Sequence, residues 1–136
     1  MQVARGTFDV EMTPQDAPAV GVLLPGATPL GRLALRKTFH GDMAGSGHGE
    51  MLTAVTPVEG SASYVALERF AGSVHGRDGS FVLQHQGTMS PARGQQLSIA
   101  IVPDSGSGAL TGIEGRFVLT VVARVHHYEL HYTVAD

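Results

Sequence analysis

A chain of 136 residues, 43% of them apolar, fits one domain with a real hydrophobic core. The formal net charge of −3, with nine Lys and Arg scattered rather than clustered, argues against a nucleic-acid partner, and a charged fraction of 15%, below the roughly 25% of average protein composition, points to self-association as a homodimer or higher homo-oligomer. The absence of cysteine excludes disulfides, a thiolate nucleophile and Cys-based metal sites.

Met1 to Gly6 lacks the basic and apolar regions of a signal peptide, and no apolar run approaches the roughly 20 residues of a membrane span, so a cytoplasmic protein with no membrane partner is expected. In chain order, period-2 alternation between glycine-marked turns predicts strands at 3–12, 31–40, 48–56, 62–75, 80–89, 95–103, 115–123 and 126–134. Residues 14–30 form the one long irregular segment. Pro14, Pro18, Pro25 and Pro29 flank Val20-Gly21-Val22-Leu23-Leu24 there, the composition of a lid or an oligomer contact. Gly45-Ser46-Gly47-His48-Gly49 resembles a phosphate loop only superficially: it leads into a strand, with no helix N-terminus to hold an anion.

Turn chemistry sets the pairing. A two-residue turn at Glu59-Gly60 places Met51 opposite Glu68 and Val55 opposite Tyr64. A turn at Arg77-Asp78 sets Phe70 opposite His85, Gly72 opposite Leu83 and Val74 opposite Phe81. A four-residue loop from Ser90 to Arg93, with a bulge near Gly94, brings Ile99 to His85 and Ile101 to Leu83. A turn at Arg124-Val125 sets Val121 opposite Tyr128, Leu119 opposite Leu130 and Phe117 opposite Tyr132. These registers agree on one inner face carrying Met51, Val55, Tyr64, Phe70, Phe81, Leu83, Leu97, Ile99, Phe117, Leu119, Val121, Tyr128 and Tyr132. The outer face carries Arg69, Gln84, Gln86, Thr120, His127, Glu129 and His131. It also carries Leu52, Val65, Leu67, Val82, Val118 and Val122, too apolar a set for full solvation. The fold class expected is all-β: a single domain, 1–136, forming an eight-stranded antiparallel up-and-down barrel.

Lys37, Glu68 and His85 interrupt the inner face. If Thr38 to Met51 crosses a loose glycine-rich turn, Lys37 falls beside Met51 and forms a row with Glu68, while His85 lies diagonal to Glu68 within side-chain reach. Burial raises a carboxylate's pKa and a neighbouring cation lowers it, a competition that can leave a base suited to removing a proton from carbon. The bland reading is a satisfied internal network that fixes the register. Tyr64, Tyr128 and Tyr132 are either donors to a bound carbonyl or core rings with one hydroxyl partner each. Met51, Phe70, Phe81, Leu83 and Ile99 complete the expected lining. Glu50 faces Arg69 outside as a surface pair. His127, Glu129 and His131 share a face, but their cross-strand partners Val122, Thr120 and Val118 are poor ligands, so no metal site is expected there.

Several blocks are similar to one bacterial family: Gly31-Arg32 through Lys37-Thr38-Phe39-His40-Gly41-Asp42-Met43, Gly49-Glu50-Met51-Leu52, Ser61 to Glu68, Gly76 to His85, Pro103-Asp104-Ser105-Gly106 and His127 to Tyr132. The chain resembles the DUF3224 domain family nearly end to end, with the Ser80 to Gly87 block the most specific. It departs at Ala123 to His126, where an Asp-Gly turn would be expected. The resemblance implies an eight-stranded barrel like that of plant allene oxide cyclase. Cyclisation chemistry follows only by fold analogy.

Three readings compete: a barrel performing cyclase or isomerase-type acid/base chemistry on an apolar small molecule, with Glu68 as base and Lys37 and His85 as partners; a non-catalytic carrier of an apolar metabolite; and a filled barrel whose oligomer is its working form. No cofactor is called for.

Overall fold

The computed structural model describes residues 1–135. Nine strands run β1 Gln2–Gln15, β2 Leu30–Gly41, β3 Met43–Val55, β4 Ala62–Val74, β5 Arg77–Ser90, β6 Gly94–Ile101, β7 Ser107–Gly108, β8 Glu114–Val122 and β9 Val125–Thr133. Among the described residues there is no helix, and so none long and apolar enough to cross a membrane. Neighbours follow chain order around a ring, β9 pairing β1 and β4 pairing β5, so the expected up-and-down barrel of eight antiparallel strands is present and closed. The two-residue β7 is an addition: it pairs Gly79 and Ser80 of β5 beyond the point where β6 leaves that edge. β6 and β8 are joined by one residue pair, Ala100 with Arg116.

Three hairpin turns differ from those expected, and each changes the pairing register by an even number of residues. Val74 pairs Arg77 around His75-Gly76, whose φ angles of 48° and 80° make a type I′ turn in place of one at Arg77-Asp78. Glu68 therefore faces Leu83, His85 faces Ala66, and Phe70 faces Phe81. At the β8–β9 hairpin the turn is Ala123-Arg124, with φ 50° and 68°, so Leu119 faces Tyr128, Phe117 faces Leu130 and Val121 faces His126. Between β3 and β4 the connection is a longer loop, closed by Thr56 N–H donating to the Ser61 carbonyl and Ser61 N–H donating to that of Val58. Met51 consequently faces Ala66, and Tyr64 faces Thr53. The β5–β6 register is as expected, His85 opposite Ile99 and Leu83 opposite Ile101.

The glycine-rich segment is strand rather than loose turn. β2 reaches Gly41 and β3 starts at Met43, so Lys37 faces Gly47 and Met51 faces Leu33. β1 likewise extends to Gln15, leaving 16–29 irregular. Pro14 is tolerated because β1 beyond Phe8 pairs with β2 alone, and the free edge needs no N–H.

The two ends of the barrel differ. At one, Met43, Val74, Leu110, Ile113 and Tyr132 are completely buried, the connection from β6 to β8 folding in as a plug. A band of aromatic rings follows, Phe8, Phe39, Phe70, Phe81, Phe117 and Tyr128, with centroids 5.1–6.2 Å apart where they meet. The Tyr128 hydroxyl accepts from Met43 N–H at 2.8 Å and donates to the His40 carbonyl at 2.9 Å, pinning β9 to the β2–β3 corner. The connections 16–29, 56–61, 91–93 and 123–124 all lie at the opposite end, which is the open mouth.

Candidate functional site

Period-2 alternation on β2, β4 and β5 aims Lys37, Glu68 and His85 inward, where the three converge on a single oxygen. Glu68 Oε1 accepts from Lys37 Nζ at 2.9 Å and lies 2.9 Å from His85 Nε2. All three are buried, Glu68 completely. Burial pushes the Glu68 carboxyl upward, but the hydrogen bond with His85 and the Lys37 ammonium together outweigh it, so the group sits below the ordinary carboxylate range. An ionised carboxylate only accepts, so His85 carries its proton on Nε2. Nδ1 is then the basic nitrogen, and no hydrogen bond occupies it among the described residues.

Glu68 Oε2 is buried without a hydrogen-bond partner. It rests against the barrel wall at Gly47, where a Cβ would stand 2.0 Å away. Glycine at 47 is what gives the carboxylate room to reach across to Lys37 and His85. Lys37 Nζ also lies 4.7 Å from the centre of the Phe8 ring, a cation–π contact that stabilises the ammonium in a dry setting.

Above the trio, inward-facing Val10, Leu33, Met51, Tyr64, Leu97 and Leu119 are only half-buried and ring the mouth. The Lys37 and His85 side chains retain 7% and 5% of their surface against none for Glu68, so Glu68 is the member of the trio fully closed to solvent. The arrangement is a Glu–His pair with an adjacent ammonium beneath an apolar opening, which suits proton transfer to or from a molecule with an apolar body.

The family described as "Protein of unknown function (DUF3224)" matches residues 4–132. The chain belongs to the DUF3224 family. A crystal structure of a DUF3224-family protein of unknown function from Shewanella oneidensis MR-1 is 44% identical to it, covering 100% of this chain and 99% of that one, with a TM-score of 0.90. A comparison with curated proteins finds no match.

In this DUF3224 barrel the residues expected to line a site divide by depth. Met51 and Tyr64 stand at the mouth, the Tyr64 ring lying over Gly87, where a Cβ would meet it at 2.5 Å. Phe70 and Phe81 are completely buried on the closed side of Glu68, Leu83 is completely buried facing Glu68, and Ile99 packs opposite His85. Tyr128 spends its hydroxyl on backbone, and Tyr132 bonds His75 and Gln2 at the closed end. Burial raises all three tyrosine pKa values. Val55 and Val121 have inward parity but lie past the rim, exposed by 65% and 56%.

Two expected contacts are corrected. The row beside Lys37 is completed by Gly47 rather than Met51, because β2 and β3 pair through the glycines. Glu50 does form a surface pair, but with Arg32 at 3.2 Å, since its β4 partner is Leu67 and not Arg69. Glu129 is engaged by Arg5 and His131, and among the described residues no group of three or more His, Asp or Glu could hold a metal ion.

Sequence reasoning overlooked Phe8, Phe39 and His126, all of which face inward. The signal for His126 was present: it shares the parity of Tyr128, Leu130 and Tyr132.

Proposed function

We propose that the barrel binds an apolar small molecule at its mouth and that His85, oriented by Glu68 and supported by Lys37, exchanges protons with it, the chemistry of an isomerase. What supports this reading best is the convergence of Lys37 and His85 on one oxygen of Glu68, on the inner face below the half-buried apolar residues of the mouth. Glu68 changes role from the expected base to an orienting carboxylate, since a lowered pKa makes it a poor proton acceptor and a good partner for imidazole. Fluorescence titration with the neutral apolar probe N-phenyl-1-naphthylamine tests the binding. One saturable site per chain is expected, with Met51→Trp at the rim weakening it by about fivefold or more, on the order of 1 kcal/mol. A folded protein that shows no saturable binding rejects the reading. Deuterium uptake by a small enolisable aryl ketone separates enzyme from carrier: protein-dependent exchange abolished by His85→Gln marks catalysis, and binding without exchange marks a carrier.

A second proposal concerns the outer wall. Leu52, Val65 and Leu67 are exposed by 40%, 50% and 59%, and they border a depression of about 760 Å³ that Pro18 of the 16–29 segment also lines. Val20, Val22, Leu23 and Leu24 of that segment are exposed too. One chain thus offers two unpartnered apolar surfaces, which a two-fold symmetric second copy would cover by laying its segment on the wall. On this reading 16–29 is an oligomer contact rather than a lid. Light scattering is expected to give a dimer, and Leu67→Lys a particle of 14.2 kDa. Wild-type protein that stays at that mass at high concentration rejects it.

A further inference from the structure

The lumen is richer in hydrogen-bond donors than in acceptors. Lys37 has three N–H donors and spends one on Glu68. Glu68 Oε1 is taken twice, and Oε2 is walled in at Gly47. His126 adds to this balance. It pairs with Phe8 across β1 and β9, and its ring stacks on Phe8 with centroids 5.0 Å apart, on the same aromatic ring that Lys37 Nζ approaches at 4.7 Å. No hydrogen bond occupies either ring nitrogen of His126 among the described residues, and the residue is half-buried at the mouth.

Resting on the proposal that the mouth takes a small molecule, we infer that this molecule carries an anionic head, a carboxylate, on its apolar body, and that His126 is a specificity residue for that head. The carboxylate receives the spare N–H donors of Lys37 and a ring N–H of His126, while the body packs against Val10, Leu97 and Leu119. An ammonium head would meet the Lys37 ammonium, with only the neutral imidazole nitrogens of His85 and His126 to accept from it.

Three ligands with one body test this: 4-phenylbutyrate, 4-phenylbutan-1-ol and 4-phenylbutylamine, each displacing the neutral probe from the full chain at neutral pH. The carboxylate is expected to bind about tenfold tighter than the alcohol, the scale of one charge-assisted hydrogen bond, and the amine weakest. His126→Phe keeps the stacking on Phe8 and removes the donor. It should cut the carboxylate-to-alcohol ratio by about threefold or more, the carboxylate losing more than the alcohol because its hydrogen bond is charge-assisted, and His126→Gln should restore part of the ratio. Thermal melts confirm that both variants are folded. Equal binding of carboxylate and alcohol, or a preference for the amine, overturns the inference and leaves the small-molecule reading standing. An unchanged ratio in folded His126→Phe removes His126 from it. Failure of all three ligands and of the neutral probe overturns the small-molecule reading itself, and the inference with it.

Discussion

Glu68→Gln is expected to destabilise the barrel by about 3–5 kcal/mol, because it leaves the buried Lys37 ammonium without a charged partner at the centre of the fold. Gln retains the shape and one acceptor, so the loss reports charge pairing rather than a cavity. The pH dependence has a definite sign. Glu68 is held below its ordinary value in the folded state, so it contributes stability that is fully present above the unfolded carboxylate value. That contribution is lost as pH falls through the lower folded value. Urea denaturation of wild type against Glu68→Gln should therefore show a gap at neutral pH that narrows in acid. A gap that is below about 1 kcal/mol at neutral pH, or that widens in acid, would refute the account. Replacing the trio together by Lys37→Met, Glu68→Leu and His85→Leu should restore much of the stability, since apolar side chains of similar volume often match or exceed a buried ion pair. Such a variant, folded but unable to exchange ligand protons, would separate the chemical role of the trio from its structural one.

Gly47→Ala should cost as much as breaking the ion pair, about 3 kcal/mol or more, although it adds one methyl group. The new Cβ would stand 2.0 Å from Glu68 Oε2 and 3.1 Å from the Phe39 ring. A carboxylate at the surface could swing away, but this one is held by both Lys37 and His85, and moving it breaks both bonds. Backbone strain plays no part, because Gly47 does not have a positive φ. Combination with Glu68→Ala checks the cause. In that background Gly47→Ala should cost little, under about 1 kcal/mol, because the clashing oxygen is gone and alanine lowers the entropy of the unfolded chain. If the two costs simply add, the glycine serves something other than the carboxylate.

Much of the architecture was legible because a half-buried strand must alternate. A slip by one residue would expose Phe70, Phe81, Leu83 and Tyr128 and bury Arg69 and Gln84, so only even displacements survive. The observed hairpins differ from the expected ones by two or four residues and never by an odd number. Inward placement of Lys37, Glu68 and His85 therefore survived every change of turn. His85 stayed diagonal to Glu68, one step along β4 on the other side from that expected.

The partners were less legible, since turns select among the even registers and their signals were ambiguous. His75-Gly76 and Arg77-Asp78 are both plausible turn pairs, and the positive φ at His75 that decides between them is set by the folded hairpin. Ala123 and Arg124 both adopt positive φ without a glycine or asparagine to announce it, which is why the turn was expected one residue later, at Arg124-Val125.

From sequence alone, then, came the all-β class, the face each residue presents and the identity of the polar residues inside, since these rest on local periodicity that each strand enforces by itself. Only the tertiary structure decided that Lys37 and His85 meet on one oxygen of Glu68, that Gly47 makes room for it, and that Phe8 joins Lys37 to His126. Those are contacts between strands far apart in the chain, fixed by closure of the barrel and by side-chain volumes in its packed interior, and no local pattern carries them.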